Sequence, residues 1–202
     1  MQNTYAFCAL LARMKYIGRW GLMRSTRTEN LSEHTAEAAV VAHVLGLIAR
    51  DICGRGAVRP ERVAVAALYH DASEILTGDM PTPVKYKNEE LKKAYKALEK
   101  ESARGLAGLL PEALRPSLEP ELTGESLTPE EQTLLKAADR LCALTKCIEE
   151  EASGNTEFRS AKRQQIDLLR AMECPAADYF MQHFLPCYDW NLDELTGTRP
   201  PK

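Results

Sequence analysis

The sequence predicts an all-α fold, a single-domain helical bundle over residues 1–202. Apolar residues recur at helical spacing along most of the chain, and no run of alternating β-branched residues reads as a strand. The segment Thr128-Pro129-Glu130-Glu131 is a complete helix start: Thr as N-cap, Pro at the first helical position, Glu three residues after the cap. At 202 residues the chain can bury one full core, and its 45% apolar and 27% charged content is ordinary for a globular protein.

A first helix is expected over Thr4–Met14. Ile17–Asn30 then reads as an Arg-rich loop, with Gly18 and Gly21 as breakers. Asn30 or Ser32 caps a second helix that runs to about Asp51, with Val40, Val44, Leu47 and Ile48 on one face. Gly54-Arg55-Gly56 ends it. Pro60 opens a third helix that carries His70 and Asp71 near its end, and Gly78 with Pro81-Thr82-Pro83 forces a loop after it. A Lys- and Glu-rich helix spans Asn88–Leu110, and Pro111, Pro116 and Pro120 break up the segment after it. The helix from Thr128 carries Asp139 at mid-length, ends near Gly154, and has Leu134, Ala138, Leu141, Thr145 and Ile148 as its core stripe. Further helices are expected over Phe158–Met172 and Ala176–Phe184, and the tail Leu192–Lys202 is expected to be loose.

Composition excludes several classes of function. A net charge of −3 gives no electrostatic footprint for a nucleic-acid polymer or an anionic membrane. No uncharged apolar run reaches the roughly 18 residues of a membrane span. Met1-Gln2-Asn3-Thr4-Tyr5 lacks a basic region followed by a long apolar core, which points to the cytoplasm. The cysteines at 8, 53, 142, 147, 174 and 187 form no C-x-x-C pair and read as reduced, mostly buried thiols.

The chemistry concentrates at His70-Asp71. These two ligand types emerge from the apolar run Val63–Leu68, where a buried imidazole and carboxylate need partners. On a continuing helix, Glu74 would share their face. His34 and Asp139, far off in sequence, complete an order His…His-Asp…Asp that suits one divalent cation with mixed nitrogen and oxygen ligands. Such an ion can activate water for attack on a phosphate. His43, nine positions after His34, falls on the opposite helix face at ~100° per residue and reads as packing or surface. His183, amid aromatics without a neighbouring carboxylate, reads as structural.

Two other segments admit two readings. Arg19 and Trp20 suit a phosphate and a base or sugar, but equally a carboxylate pair and a core cap. Asp79 and Thr82 lie in a Pro-stiffened loop just after the ligands and are similarly open. The Lys and Glu run from Lys85 to Glu101 reads as a solvated helix face.

Taken together, these segments resemble the HD-domain phosphohydrolases, and more closely the YfbR-like bacterial 5′-deoxynucleotidases. The resemblance rests on Gly18-Arg19-Trp20 with Leu22-Met23-Arg24, on Arg27-Thr28-Glu29-Asn30-Leu31-Ser32-Glu33-His34, and on the long stretch from Tyr69 to Tyr86. Lys136-Ala137-Ala138-Asp139 and Phe158 complete it, so that it covers roughly residues 5–190. It implies an HD-type bundle in which His34, His70, Asp71 and Asp139 hold one divalent transition metal such as Co, Mn or Zn. It also implies Glu74 and Arg19 as catalytic residues, and a nucleotide contacted by Arg19, Trp20, Asp71, Asp79, Met80, Pro81, Thr82 and Asp139. The implied activity is hydrolysis of deoxyribonucleoside 5′-monophosphates to deoxyribonucleosides and phosphate, by cytoplasmic homodimers. Two rivals are an HD phosphohydrolase for another phosphomonoester or cyclic diester, and a non-catalytic nucleotide sensor. Glu74 and Arg19 argue against the sensor, because a pure binder needs no carboxylate placed to move protons.

Overall fold

Helix start signals position the scaffold. In the computed structural model, which describes residues 4–85 and 87–198, Asn30 caps α2 (Leu31–Leu47) through a capping box with Glu33, and Thr128 caps α8 (Pro129–Ala152) through another with Glu131. Before α2 lie α1 (Phe7–Leu11), its 3-10 continuation Ala12–Tyr16, and a loop closed by an antiparallel bridge between Gly18 and Asn30. After α2, which widens into a π turn over Ile48–Ile52, come α3 (Pro60–Tyr69), α4 (Glu74–Thr77) and α5 (Thr82–Lys85). Asn88 caps α6 (Glu89–Gly108), which is followed by α7 (Arg115–Thr123). Beyond α8 stand α9 (Arg159–Arg170), α10 (Pro175–His183) and the short α11 (Leu192–Leu195). The described residues are helix, turn and loop, with no strand beyond that one bridge. The leader reading at Met1-Gln2-Asn3, Tyr86 of the long matched stretch, and residues 199–202 of the tail lie outside the described residues.

The main core is the seam between α2, α3 and α8, closed by α9 and α10. Leu45, Ile48, Val63, Leu134, Leu141, Leu144, Leu169 and Phe180 fill it. The seam is narrow because small residues line it: Ala38, Ala42, Ala67, Ala137 and Ala138 are fully buried. At Gly46 a Cβ would come within 2.7 Å of the Pro60 Cα, so this contact between α2 and α3 requires glycine. A second cluster, with Phe7, Ala72, Leu106, Leu110 and Leu122, joins α1, α6 and α7 beneath the turn that carries Asp71.

Of the stripe expected on α2, Ile48 is buried and Val44 packs against the core, but Val40 falls outside it. Val40 is 66% exposed, and the buried face runs through Leu31, His34, Ala38, Val41, Ala42 and Leu45. The helix is apolar nearly all round, so periodicity alone does not mark its inner face. The third helix stops at Tyr69, and His70–Ser73 form tight turns before α4, so Glu74 is not on one continuous helix with His70 and Asp71. Pro116 and Pro120 sit inside α7 rather than breaking it. The first falls in the opening turn, where an N–H is spare, and packing of Leu122 into the second cluster outweighs the bond lost at the second. In the tail, Asn191 caps α11 with its own capping box, which orders a stretch expected to be loose. The stripe expected on α8 is buried throughout.

One buried carboxylate ties the starts of α3 and α8 together. Glu131 accepts the Thr128 N–H at 2.9 Å, the Arg59 N–H at 3.0 Å, Arg59 Nε at 2.9 Å and Arg59 Nη2 at 2.6 Å. Burial alone would raise its pKa, but the Arg59 and Thr128 hydrogen bonds outweigh it and hold the carboxyl at about 2, against an ordinary 4.5. A depressed folded-state pKa contributes stability above the unfolded value and loses it as pH falls through the folded one. Glu131→Gln should therefore lower the urea midpoint at pH 7, with the difference from wild type closing between about pH 4.5 and 2. A pH-independent difference would contradict this account.

Candidate metal centre

The α2 start brings His34 into the core. Its N–H bonds the Asn30 carbonyl at 3.1 Å and its side chain is fully buried in the first turn. His70 closes α3, and its Nδ1 lies 2.7 Å from the Ala67 carbonyl. A carbonyl only accepts, so Nδ1 carries the proton and Nε2 points its lone pair inward. Asp71 follows in the turn after α3, where the bonds from Ala72 N–H to the Tyr69 carbonyl and from Glu74 N–H to the Asp71 carbonyl reverse the chain. Asp139 comes from mid-α8, beside the buried Ala137 and Ala138.

The four donor atoms converge. His34 Nε2 lies 3.3 Å from His70 Nε2, 3.4 Å from Asp71 Oδ2 and 3.2 Å from Asp139 Oδ1. His70 Nε2 lies 3.2 Å from Asp71 Oδ2 and 3.9 Å from Asp139 Oδ1. At metal–ligand bonds of about 2.0–2.2 Å, neighbouring donors sit about 3–3.5 Å apart. His34, His70 and Asp71 form the tight trio, with donor atoms all within 4.8 Å of one another, and Asp139 closes on the two imidazoles. Donor chemistry, separation and the His70 tautomer fit one divalent cation.

The electrostatics reflect crowding. Without a cation, burial opposes charge on His70, but Asp71 and then Asp139 outweigh it and push the imidazole up to about 9. Burial would raise Asp71 and Asp139, yet the imidazoles hold both below the usual carboxylate range. Glu74 behaves in the opposite way. It is 5% exposed, its Oε2 has no hydrogen-bond partner among the described residues, and burial with the charges of Asp71 and Asp79 pushes its carboxyl up to about 9. Even off the helix of His70, it therefore shares their electrostatic environment.

The Arg-rich loop brings in the guanidinium. Glu150 on α8, 1% exposed, accepts the N–H groups of Thr26 and Arg27 and the Thr26 hydroxyl, and so pins the loop to the bundle. Arg19 reaches Asp71 Oδ2 with Nη1 at 3.3 Å and Glu29 Oε1 with Nε at 3.0 Å. Trp20 donates its indole N–H to Glu29 Oε2 at 2.9 Å and packs on Phe158 with ring centroids 5.3 Å apart. The Trp20 backbone faces Asp79 and offsets part of the rise that burial gives its carboxyl, which relates this loop to the segment after α4. Met80 and Pro81 are half-buried and Thr82 is exposed where α5 begins.

Sequence reasoning overlooked two groups. Glu29 entered only as part of a motif, because no local pattern relates it to Arg19, Trp20 and His34, which its carboxylate meets. Lys85, assigned to a solvated face, is largely buried, with its ammonium 2.7 Å from Glu99 and 4.7 Å from the Tyr95 ring centre. The helical period within α6 carries no signal of that contact, because Lys85 belongs to α5. His43 is half-buried outside the donor cluster, and His183 is exposed against the Tyr179 ring, as expected of both.

Known proteins share this geometry's sequence and fold. The family model described as 5′-deoxynucleotidase YfbR-like matches residues 6–188. The chain is 47% identical over 194 residues to the 5′-deoxynucleotidase YfbR of Escherichia coli (strain K12 / DH10B), covering 96% of this chain and 97% of that one. A 5′-deoxynucleotidase of Klebsiella pneumoniae (strain 342) is 46% identical over the same shares. Among solved structures, an HD-domain phosphohydrolase from Listeria innocua superposes with a TM-score of 0.77 at 22% identity, covering 95% of this chain and 94% of that one. A cyanophage S-2L HD phosphohydrolase, solved with dA and one catalytic Zn2+ ion, gives a TM-score of 0.67 at 22% identity, covering 93% and 98%. These two structures share the fold. The match across nearly the whole length shows that this chain belongs to the YfbR-like 5′-deoxynucleotidase family.

Proposed function

We propose that this chain is a phosphoric monoester hydrolase that removes the 5′-phosphate from deoxyribonucleoside 5′-monophosphates, using one divalent cation. The observation that carries the reading is the convergence of two imidazoles and two carboxylates beside a buried guanidinium. The names of the 46–47% identical relatives support the activity and substrate class, and the dA- and Zn2+-bound cyanophage protein is consistent with both.

In this reading His34, His70, Asp71 and Asp139 would hold the cation. When bound, it lowers the pKa of water and draws charge off a phosphoryl group. Mixed imidazole and carboxylate ligation accepts Mn, Co or Zn, so availability chooses among them. Arg19 grips the phosphate oxygens and orients the phosphorus for in-line attack. Glu74, with a buried and unpartnered oxygen, moves a proton at the reacting oxygens. Trp20 and the segment Asp79-Met80-Pro81-Thr82 flank the nucleoside, and Asp71 and Asp139 meet the phosphate side. The protein works in the cytoplasm, in keeping with its free cysteines, and as a homodimer, for which exposed side chains such as Val40 supply apolar surface.

Phosphate release from matched deoxy- and ribonucleoside monophosphates, with metals added singly, tests the activity. The deoxy forms should turn over faster, and no release with any metal would overturn the reading. Glu74→Ala should keep its metal and lose on the order of 10²–10⁴ in kcat, the usual weight of a general acid or base. Near-normal kcat would remove Glu74 from the mechanism. Asp71→Ala should lose both stoichiometric metal and turnover while its far-ultraviolet circular dichroism stays helical. Normal metal content in that variant would break the ligand assignment. Light scattering should give a mass near twice the 22.5 kDa of the chain, and a mass near 22.5 kDa would contradict the dimer.

A further inference from the structure

The carboxylate of Glu29 meets three residues of the site at once. Its Oε1 accepts Arg19 Nε at 3.0 Å and lies 3.6 Å from His34 Nδ1, while its Oε2 accepts the Trp20 indole N–H at 2.9 Å. The backbone reinforces the arrangement, because the Glu29 carbonyl accepts the Arg19 N–H at 2.9 Å next to the Gly18–Asn30 bridge. The side chain is 12% exposed, so water contributes little to holding these donors.

Two features lack an explanation without Glu29. His34 is fully buried and its Nδ1 has no hydrogen-bond partner among the described residues. With Nε2 turned to the donor cluster, Nδ1 must carry the proton, and an approach of a few tenths of an ångström would bond it to Glu29. Trp20 has φ +60°, in the left-handed region that costs a bulky residue about 1–3 kcal/mol unless its surroundings fix it. Its carbonyl is held by the Met23 N–H at 2.8 Å and its indole by Glu29.

We propose that Glu29 is a positioning residue that couples cation binding to nucleotide binding: one carboxylate orients His34 toward the cation while fixing Arg19 and Trp20 for the nucleotide. This rests on the metal and phosphate reading of the proposed function. A carboxylate suits the role because both its oxygens only accept, whereas an amide offers one acceptor and turns a donor toward the other side. Metal-ligating histidines commonly donate their second N–H in this way.

Glu29→Gln, nearly isosteric, tests the coupling in two measurements. Chelator-competition titration of the full-length apoprotein with Zn2+ should show affinity weakened by roughly 10–100-fold. Steady-state kinetics at saturating Zn2+ with one deoxyribonucleoside monophosphate should show KM raised by about tenfold, the weight of one charge-assisted hydrogen bond, with a smaller effect on kcat. A merely structural loss lowers the active fraction and leaves Kd and KM unchanged. Unchanged values, or a change in only one of them, overturn the coupling. If Glu29→Gln does not fold, Glu29→Asp keeps the charge but draws the carboxylate back by one methylene from all three donors, and it should weaken Zn2+ affinity and raise KM together. An unchanged KM there also overturns the proposal. Wild-type protein that takes up no Zn2+ removes the metal reading and this inference with it. Wild-type uptake with Zn2+-binding Glu29→Gln of normal KM removes the Glu29 inference alone.

Discussion

Glu29, Asp71, Glu74, Asp79 and Asp139 crowd around Arg19 and two imidazoles, and the rest of the structure accommodates that crowding of carboxyl groups. The Arg19 guanidinium alone cannot offset it: Glu74 is pushed up to about 9 by burial and by Asp71 and Asp79, and His70 rises to about 9 beside Asp71. The cation site proposed on His34, His70, Asp71 and Asp139 lies where this crowding is densest. In the proposed function, the same field that favours a cation would repel a phosphate, so Arg19 and the cation would act together to admit an anionic substrate.

The bundle makes the crowding possible by close packing. Alanines on α2, α3 and α8, together with Gly46 against Pro60, bring the three ligand-bearing backbones close enough for imidazole and carboxylate to meet without large side chains between them. The Arg-rich loop has little apolar surface of its own. It is held from outside by Glu150, which takes its backbone N–H groups, and from inside by Glu29, which takes the side chains of Arg19 and Trp20. Glu150, buried, and Glu29, largely buried, thus fix a loop to which the Trp20–Phe158 contact adds packing.

Glu131 does similar work away from the site. It joins the start of α8 to the residue before α3, so the helix carrying Asp139 and the helix leading to His70 begin from one shared contact. Capping interactions set the termini of α2 and α8, and the termini set where the ligands fall.

The sequence by itself determined the helical class and most helix starts, and it offered the candidate donors, because these depend on local chemistry: caps at Asn30, Asn88 and Thr128, Pro60 at a helix start, apolar spacing on α8, and ligand-type side chains at His34, His70, Asp71 and Asp139. Much of the assignment of Arg19, Trp20 and Glu74 came from motif resemblance, since an isolated Arg-Trp or Glu carries no local signature of function. Only the tertiary structure decided the inner face of α2, where apolar residues on every side leave the choice to whichever neighbours pack first. It also decided the break after Tyr69, the buried placement of Lys85 and the triple contact of Glu29. Each joins groups that no local period relates: Glu29 meets Arg19 ten positions earlier, and Asp139 meets His34 across 105 positions. Hydrogen bonds and charges act over a few ångströms of space regardless of sequence separation, so the chain could specify these contacts without displaying them.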